Sequence, residues 1–146
     1  MKLVTYKSDG NEGIGSLEQD EIVPFGDDPS LPTDMLSFLE AGEGAANNAI
    51  ALCKNPKSKI SLSDVELLAP ISRPPKIIAI GLNYADHLEE VRSAGREVET
   101  PVVPMIFNKQ SLSASGPYQD IHDPKVSEML DFEGELTFVI GKKCRH

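Results

Sequence analysis

The sequence predicts an α+β fold that is mostly β, and three observations predict it. An alternation over residues 2–7 and two further short strand segments, separated by turn residues, fill the first 25 or so positions. Between about residues 33 and 53 the apolar residues change to helical spacing. The 146 residues include 11 Gly and 11 Pro but only 5% aromatics and no Trp, a turn-rich composition unlike that of a helical bundle.

Taken in order, Leu3 and Thr5 alternate with Val4 and Tyr6, which predicts a strand over residues 2–7. Asp9-Gly10-Asn11-Glu12-Gly13 is turn chemistry, because Gly and Asn accept positive φ. Strands at Ile14–Leu17 and Glu21–Phe25 complete an antiparallel meander. A loop over 26–32 leads to Thr33, the predicted N-cap of a helix. That helix carries Met35, Leu36, Phe38 and Leu39 at helical spacing and is stopped by Gly42. A second helix is predicted over Glu43–Cys53, broken by Asn55-Pro56-Lys57-Ser58, and then an extended segment over Ile60–Leu68.

Pro70-Ile71-Ser72-Arg73-Pro74-Pro75 is a stiff connector that cannot continue a helix. It divides the chain into a small N-terminal α/β domain, residues 1–70, and a second domain, residues 71–146. Downstream come a buried strand at Lys76–Gly81, a helix or lid at Tyr84–Ala94 ended by Gly95, a strand at Met105–Phe107, and a turn at Gly116-Pro117-Tyr118. The strongest strand pattern is Asp131–Ile140, closed by Gly141. Its apolar face needs neighbours that the residues after the connector hardly supply. The chain is therefore expected to be C-terminally truncated, with its second domain incomplete.

The net charge of −9 repels phosphate backbones and anionic membrane surfaces, so neither nucleic acid nor membrane is expected as a partner. Cys53 and Cys144 have no metal-site or redox spacing, which fits a reducing compartment. The N-terminus lacks a signal-peptide apolar run, and the apolar stretch Ile77–Leu82 is too short to span a bilayer. A cytoplasmic location is expected, or a mitochondrial one if an upstream targeting segment is missing.

Two constellations could carry chemistry. In Asp131–Ile140, Phe132, Leu136, Phe138 and Ile140 would share one strand face, with Asp131, Glu133, Glu135 and Thr137 on the other. Glu133 and Glu135 would then stand roughly 6.5–7 Å apart, close enough to tilt toward one divalent ion, at about 2.0–2.1 Å for magnesium. The competing reading is a solvated polar face. The second constellation is Gly81-Leu82-Asn83-Tyr84-Ala85-Asp86-His87-Leu88-Glu89-Glu90. On a helical turn, His87 and Glu90 are neighbours, and a carboxylate beside an imidazole is what a general base needs. An exposed surface pair is the alternative. Asp86 could cap, ligate or hold water. Lys109 and Ser111 could meet a substrate carboxylate, with an ordinary loop as the competing reading, and His122 is a surface residue of a polar loop.

Together these segments resemble the fumarylacetoacetate hydrolase family, with the domain-containing protein 2 group as the nearest likeness. The resemblance is carried by Gly81–His87, Pro104-Met105-Ile106-Phe107-Asn108-Lys109, Gly116-Pro117-Tyr118 and Asp131–Leu136 running into Val139-Ile140-Gly141-Lys142, in matching order and spacing. It also extends upstream, through Leu31-Pro32 before Met35–Glu40 and Leu68-Ala69-Pro70 before Arg73-Pro74. It implies a mixed, mostly β roll of which this chain holds the first part, and a homodimer. It implies a metal site at Glu133 and Glu135 for Mg2+, or else Mn2+ or Ca2+, whose usual third Asp ligand matches no position here. It implies a catalytic dyad of His87 and Glu90, and a lid over about Leu88–Thr100. The implied activity is metal-dependent hydrolysis of a C–C bond in a 2-oxo acid such as an acylpyruvate. Oxaloacetate decarboxylation or keto–enol tautomerisation is the alternative, as is an inactive fragment serving as a binding or dimerisation module.

Overall fold

The computed structural model describes residues 1–143 and 145, and Cys144 lies outside the described residues. The fold is α+β. Cys53 is a free, half-buried thiol.

The first hairpin follows from Asp9-Gly10. Strand β1 (Lys2–Ser8) pairs antiparallel with β2 (Asn11–Glu18), with Ser8 opposite Asn11. The two loop residues, Asp9 at φ 50° and Gly10 at φ 81°, both have left-handed backbone. That is the type I′ arrangement, whose twist matches the flanking strands. The turn therefore takes only two residues, and β2 starts at Asn11 rather than Ile14. Gln19, at φ 57°, turns the chain into β3 (Glu21–Pro24). The short strands β4 (Ile60–Ser61) and β5 (Glu66–Leu67) close the sheet edges in the order β4-β3-β2-β1-β5. A 3-10 turn at Leu62–Asp64 interrupts the run predicted as extended over 60–68. The run is pinned by Leu62 N–H donating to the Asp20 carbonyl at 2.8 Å and Leu68 N–H to the Thr5 carbonyl at 2.9 Å.

Gly15 is required by the close approach of β2 to β3. A Cβ there would lie 2.5 Å from the Val23 carbonyl oxygen and 2.7 Å from Ile22 Cγ2. Helix α1 (Met35–Glu40) is capped by Asp34, not Thr33: Ser37 N–H donates to Asp34 Oδ1 at 2.9 Å. A cap side chain accepts from the second or third helical N–H, and with the helix starting at Met35 the third belongs to Ser37, within reach of Asp34. Hydrogen bonds from Ser37 hold the Asp34 carboxyl below the usual carboxylate range. Gly42, at φ 67°, ends α1 and begins α2 (Gly42–Lys54). The buried stripe of α2 is Ala45, Ala49 and Leu52, at helical spacing.

The core forms where the two helices cover the sheet. Ile14, Val23 and Phe25 pack with Leu31, Met35, Phe38, Ala45, Ala49 and Leu52. The rings of Phe25 and Phe38 lie 5.0 Å apart at 41°, within the range of favourable tilted aromatic pairs. Leu3 and Ile71 border this core, and Thr5 Oγ1 donates to the Pro70 carbonyl at 2.7 Å.

The chain divides into two units, Met1–Ser72 with Ser115–His146, and Arg73–Ala114. The second contains a separate two-stranded antiparallel sheet of β6 (Ile77–Gly81) and β7 (Met105–Lys109), with helix α3 (Ala85–Ser93) between them in sequence. Strand β7 runs two residues beyond the predicted Met105–Phe107.

The strand predicted over Asp131–Ile140 is not formed. None of these residues joins a ladder, and all are exposed, Phe132 at 91% and Phe138 at 77%. Alternation gives a strand two faces, but a strand persists only with a neighbour to bond and a layer to cover it. Neither comes from the described residues. Local bonds take over instead: Phe132 N–H donates to Asp131 Oδ1 at 2.8 Å, and Met129 N–H to Ser127 Oγ at 3.1 Å.

Candidate active site

Strand β6 delivers the chain to a tight junction. Gly81 ends the strand, and Leu82 follows at φ 52°. A branched residue in left-handed backbone is strained, and such strain gathers where a site needs a fixed geometry. Asn83 and Tyr84 lead into α3, whose N-cap Tyr84 makes no side-chain capping bond. Asp86 in the first turn suits the positive end of the helix dipole. Leu88 is the buried residue of α3 and sets its orientation. His87 and Glu90, three residues apart, then share an outward face.

His87 Nδ1 lies 3.5 Å from Glu90 Oε2, with the imidazole 43% and the carboxylate 81% exposed. The distance is at the outer limit of hydrogen-bond reach, as is common before a substrate tightens a dyad. A proton on Nδ1 would be donated to Glu90, leaving Nε2 as the accepting nitrogen. The pair can orient an imidazole and stabilise its charged form, and both groups are open to an incoming ligand.

Lys109 and Ser111 do not join this pair. In the β6–β7 register Lys109 stands opposite Ile77, whereas Gly81, next to α3, stands opposite Met105. Four positions of antiparallel strand amount to about 13 Å. Lys109 Nζ instead lies 5.6 Å from the centroid of the Phe107 ring, and Ser111 Oγ donates to the Pro75 carbonyl at 3.4 Å. His122 is exposed in a loop.

Glu133 and Glu135 lie in the unit built from Met1–Ser72 and Ser115–His146, and both are exposed. The strand that was to present them from one face is absent. Among the described residues there is no group of three or more His, Cys, Asp or Glu able to hold a metal ion. The donor chemistry nevertheless fits a hard divalent cation. Two carboxylates, with water completing the shell, is a common magnesium set.

Sequence reasoning expected His87 and Glu90 to be neighbours on one helical turn, as they are, but missed two features of the same region. One is the strained Leu82, which no residue preference announces. The other is Arg92, which bonds Val98 and Thr100 across a loop, a pairing that spacing alone does not reveal.

Among known proteins, residues 76–146 match the family model described as fumarylacetoacetate (FAA) hydrolase C-terminal. Over 119 residues the chain is 47% identical to oxaloacetate tautomerase fahd2, mitochondrial, of Xenopus laevis, covering 82% of this chain and 36% of that protein. It is 40% identical to oxaloacetate tautomerase FAHD2A, mitochondrial, of Homo sapiens over the same shares. A fumarylacetoacetate hydrolase domain-containing protein 2 homolog of Dictyostelium discoideum is 34% identical over all of this chain and 48% of its own length. The chain thus spans between about a third and a half of the length of these relatives. Maleylpyruvate hydrolase from Sphingobium sp. SYK-6, solved with manganese(II) and pyruvate, shares the fold at a TM-score of 0.64 and 23% identity, covering 86% of this chain and 43% of that one. A second structure of maleylpyruvate hydrolase from the same source aligns at 0.56 and 28% identity, covering 80% and 40%.

Proposed function

We propose, from the match of residues 76–146 to the fumarylacetoacetate hydrolase family and the 47% identity to a relative, that this chain is a member of that family and that its residues serve a divalent-metal-dependent enzyme that cleaves a C–C bond in a 2-oxo acid such as an acylpyruvate. The observation that carries this is the His87–Glu90 pair at 3.5 Å on the helix after β6. His87 takes a proton from water through Nε2, and the Glu90 carboxylate steadies the imidazolium that results. Water so activated attacks the carbonyl distal to the 2-oxo acid end, the C–C bond beside that carbonyl breaks, and the departing 2-oxo acid enolate takes the proton back from His87. Glu133 and Glu135 would hold a divalent ion, which when bound would supply Lewis-acid polarisation of that end; Mg2+ is proposed, with Mn2+ and Ca2+ as the other hard candidates.

A second reading is favoured by the relatives named as oxaloacetate tautomerases. There His87 moves a proton between the carbon beside the keto group and the keto oxygen, and no C–C bond breaks. Those relatives are also mitochondrial by name, which supports the mitochondrial over the cytoplasmic location. The match of the family model from residue 76 onward supports a domain border in the 70–75 connector, with domains 1–70 and 71–146. A homodimeric whole enzyme is proposed by analogy with the family.

The test is His87→Ala and Glu133→Ala, made separately in the whole enzyme and assayed with added magnesium for acylpyruvate cleavage and for oxaloacetate enol-to-keto conversion. His87→Ala should lose roughly 10²–10⁴-fold in rate and keep metal binding by calorimetry. Glu133→Ala should lose both. Wild-type rates in both variants would sink the assignment. Turnover of oxaloacetate alone would select the tautomerase reading.

A further inference from the structure

The loop behind α3 is tied to the helix by one side chain. Arg92 Nε–H donates to the Val98 carbonyl at 3.0 Å, and its terminal Nη2 donates to Thr100 Oγ1 at 3.0 Å. A second terminal nitrogen lies 3.7 Å from Glu89 Oε1. The chain reaches these acceptors through a defined turn. Gly95, at φ 81°, donates its N–H to the Arg92 carbonyl at 2.9 Å, and Arg96 N–H donates to the Val91 carbonyl at 3.4 Å. These two bonds form a Schellman motif, which satisfies carbonyls the helix end would otherwise leave open. Pro101 fixes φ directly after Thr100. The loop thus enters through a glycine cap, leaves through a proline, and is held in between by Arg92.

Helix α3 needs such support. It has nine residues, its buried residue is Leu88, and its N-cap makes no side-chain bond. Helices of that length do not persist in water without help. Arg92 also places its charge in the last turn, where the helix dipole favours it.

We propose that Arg92 is a positioning residue that locks Val98–Thr100 onto α3, so that the helix bearing His87 and Glu90 and the loop behind it move as a single lid. This rests on the reading of His87 and Glu90 as the acid–base pair. The fork matters as well as the charge. A guanidinium donates along fixed directions to two acceptors, and a lysine ammonium cannot reproduce that. A misplacement of about 1 Å in the elements that position an acid–base pair can cost on the order of 10²-fold in rate.

The experiment compares wild type with Arg92→Gln, Arg92→Lys and, as a control outside the clamp, Arg96→Gln. Backbone ¹⁵N relaxation of the 146-residue chain should give order parameters at Val98–Thr100 near those of α3, about 0.85, in wild type and Arg96→Gln. They should fall below about 0.6 in both Arg92 variants. In the whole enzyme, kcat should drop at least about tenfold in both Arg92 variants with little change in KM. Unchanged order parameters would overturn the clamp. Lost order with unchanged kcat would overturn the positioning role, as would full rescue by lysine. If wild type turns over neither acylpyruvate nor oxaloacetate, the functional reading fails, while the relaxation arm still decides the clamp.

Discussion

Glu21–Phe25 and Asp131–Ile140 are both expected as strands from sequence and end in opposite conditions. In the first, Ile22, Val23 and Phe25 are each 0% exposed. Strand β3 has β2 on one side and β4 on the other, and Val23 and Phe25 enter the core that α1 and α2 cover. In the second, Phe132, Leu136, Phe138 and Ile140 are between 71% and 91% exposed and join no ladder. The β6–β7 pair stands between the two extremes. It has a full ladder, yet Ile78 is 61% and Ile106 68% exposed. The three regions separate what pairing supplies from what covering supplies. A ladder satisfies backbone groups and fixes register. Burial stabilises by roughly 25 cal/mol per Å² of apolar surface, and only where another layer removes that surface from water.

This comparison can be broken most directly at Phe25. Phe25→Ala removes a ring fully enclosed and tilted against Phe38, and should cost about 3–5 kcal/mol. Urea denaturation followed by circular dichroism measures it as a lower midpoint. A loss below about 1 kcal/mol would mean that the N-terminal core is not what holds the sheet and helices together.

A smaller effect sharpens the contrast between regular and irregular segments. Asp34→Ala removes the cap of α1 and should cost about 1 kcal/mol, and that cost should depend on pH. Hydrogen bonds from Ser37 lower the Asp34 carboxyl in the folded chain, so the unfolded chain binds the proton more readily. The contribution is therefore present above the ordinary carboxylate value of about 4 and fades as pH falls through the lower folded value. Denaturation of wild type and variant at pH 7 and pH 2.5 checks the sign. The gap between them should narrow at the acid end.

Much of the local order was legible because it was written in adjacent residues. Asp9-Gly10 marked the first hairpin, Gly42 and Gly95 marked helix ends, and His87 and Glu90 met at one helical turn. The errors are equally physical. Thr33 and Asp34 are both good caps, and only the start of the helix at Met35, which makes Ser37 the third helical donor, selects between them. The extended reading of 60–68 missed a turn stabilised from afar by Asp20. The strand at 131–140 failed because alternation specifies which face a side chain would take once paired, not whether a partner exists. Arg92 was invisible for a related reason, since its acceptors Val98 and Thr100 lie across a loop and carry no recognition pattern.

The least effect is expected where the pattern was strongest. Phe138→Ala deletes the same ring as Phe25→Ala, from a residue 77% exposed. With most of its surface already in water, the transfer gain lost is small, and the change should stay within about 0.5 kcal/mol, as at other exposed positions. The two substitutions, measured side by side in the 146-residue chain, hold chemistry constant and vary only the surroundings. Equal destabilisation would show that Asp131–Ile140 is packed in solution, and the account of why its strand does not form would have to be given up. A silent Phe138→Ala beside a severe Phe25→Ala would establish that an alternating sequence contributes nothing to stability until a neighbouring strand and a covering layer are both in place.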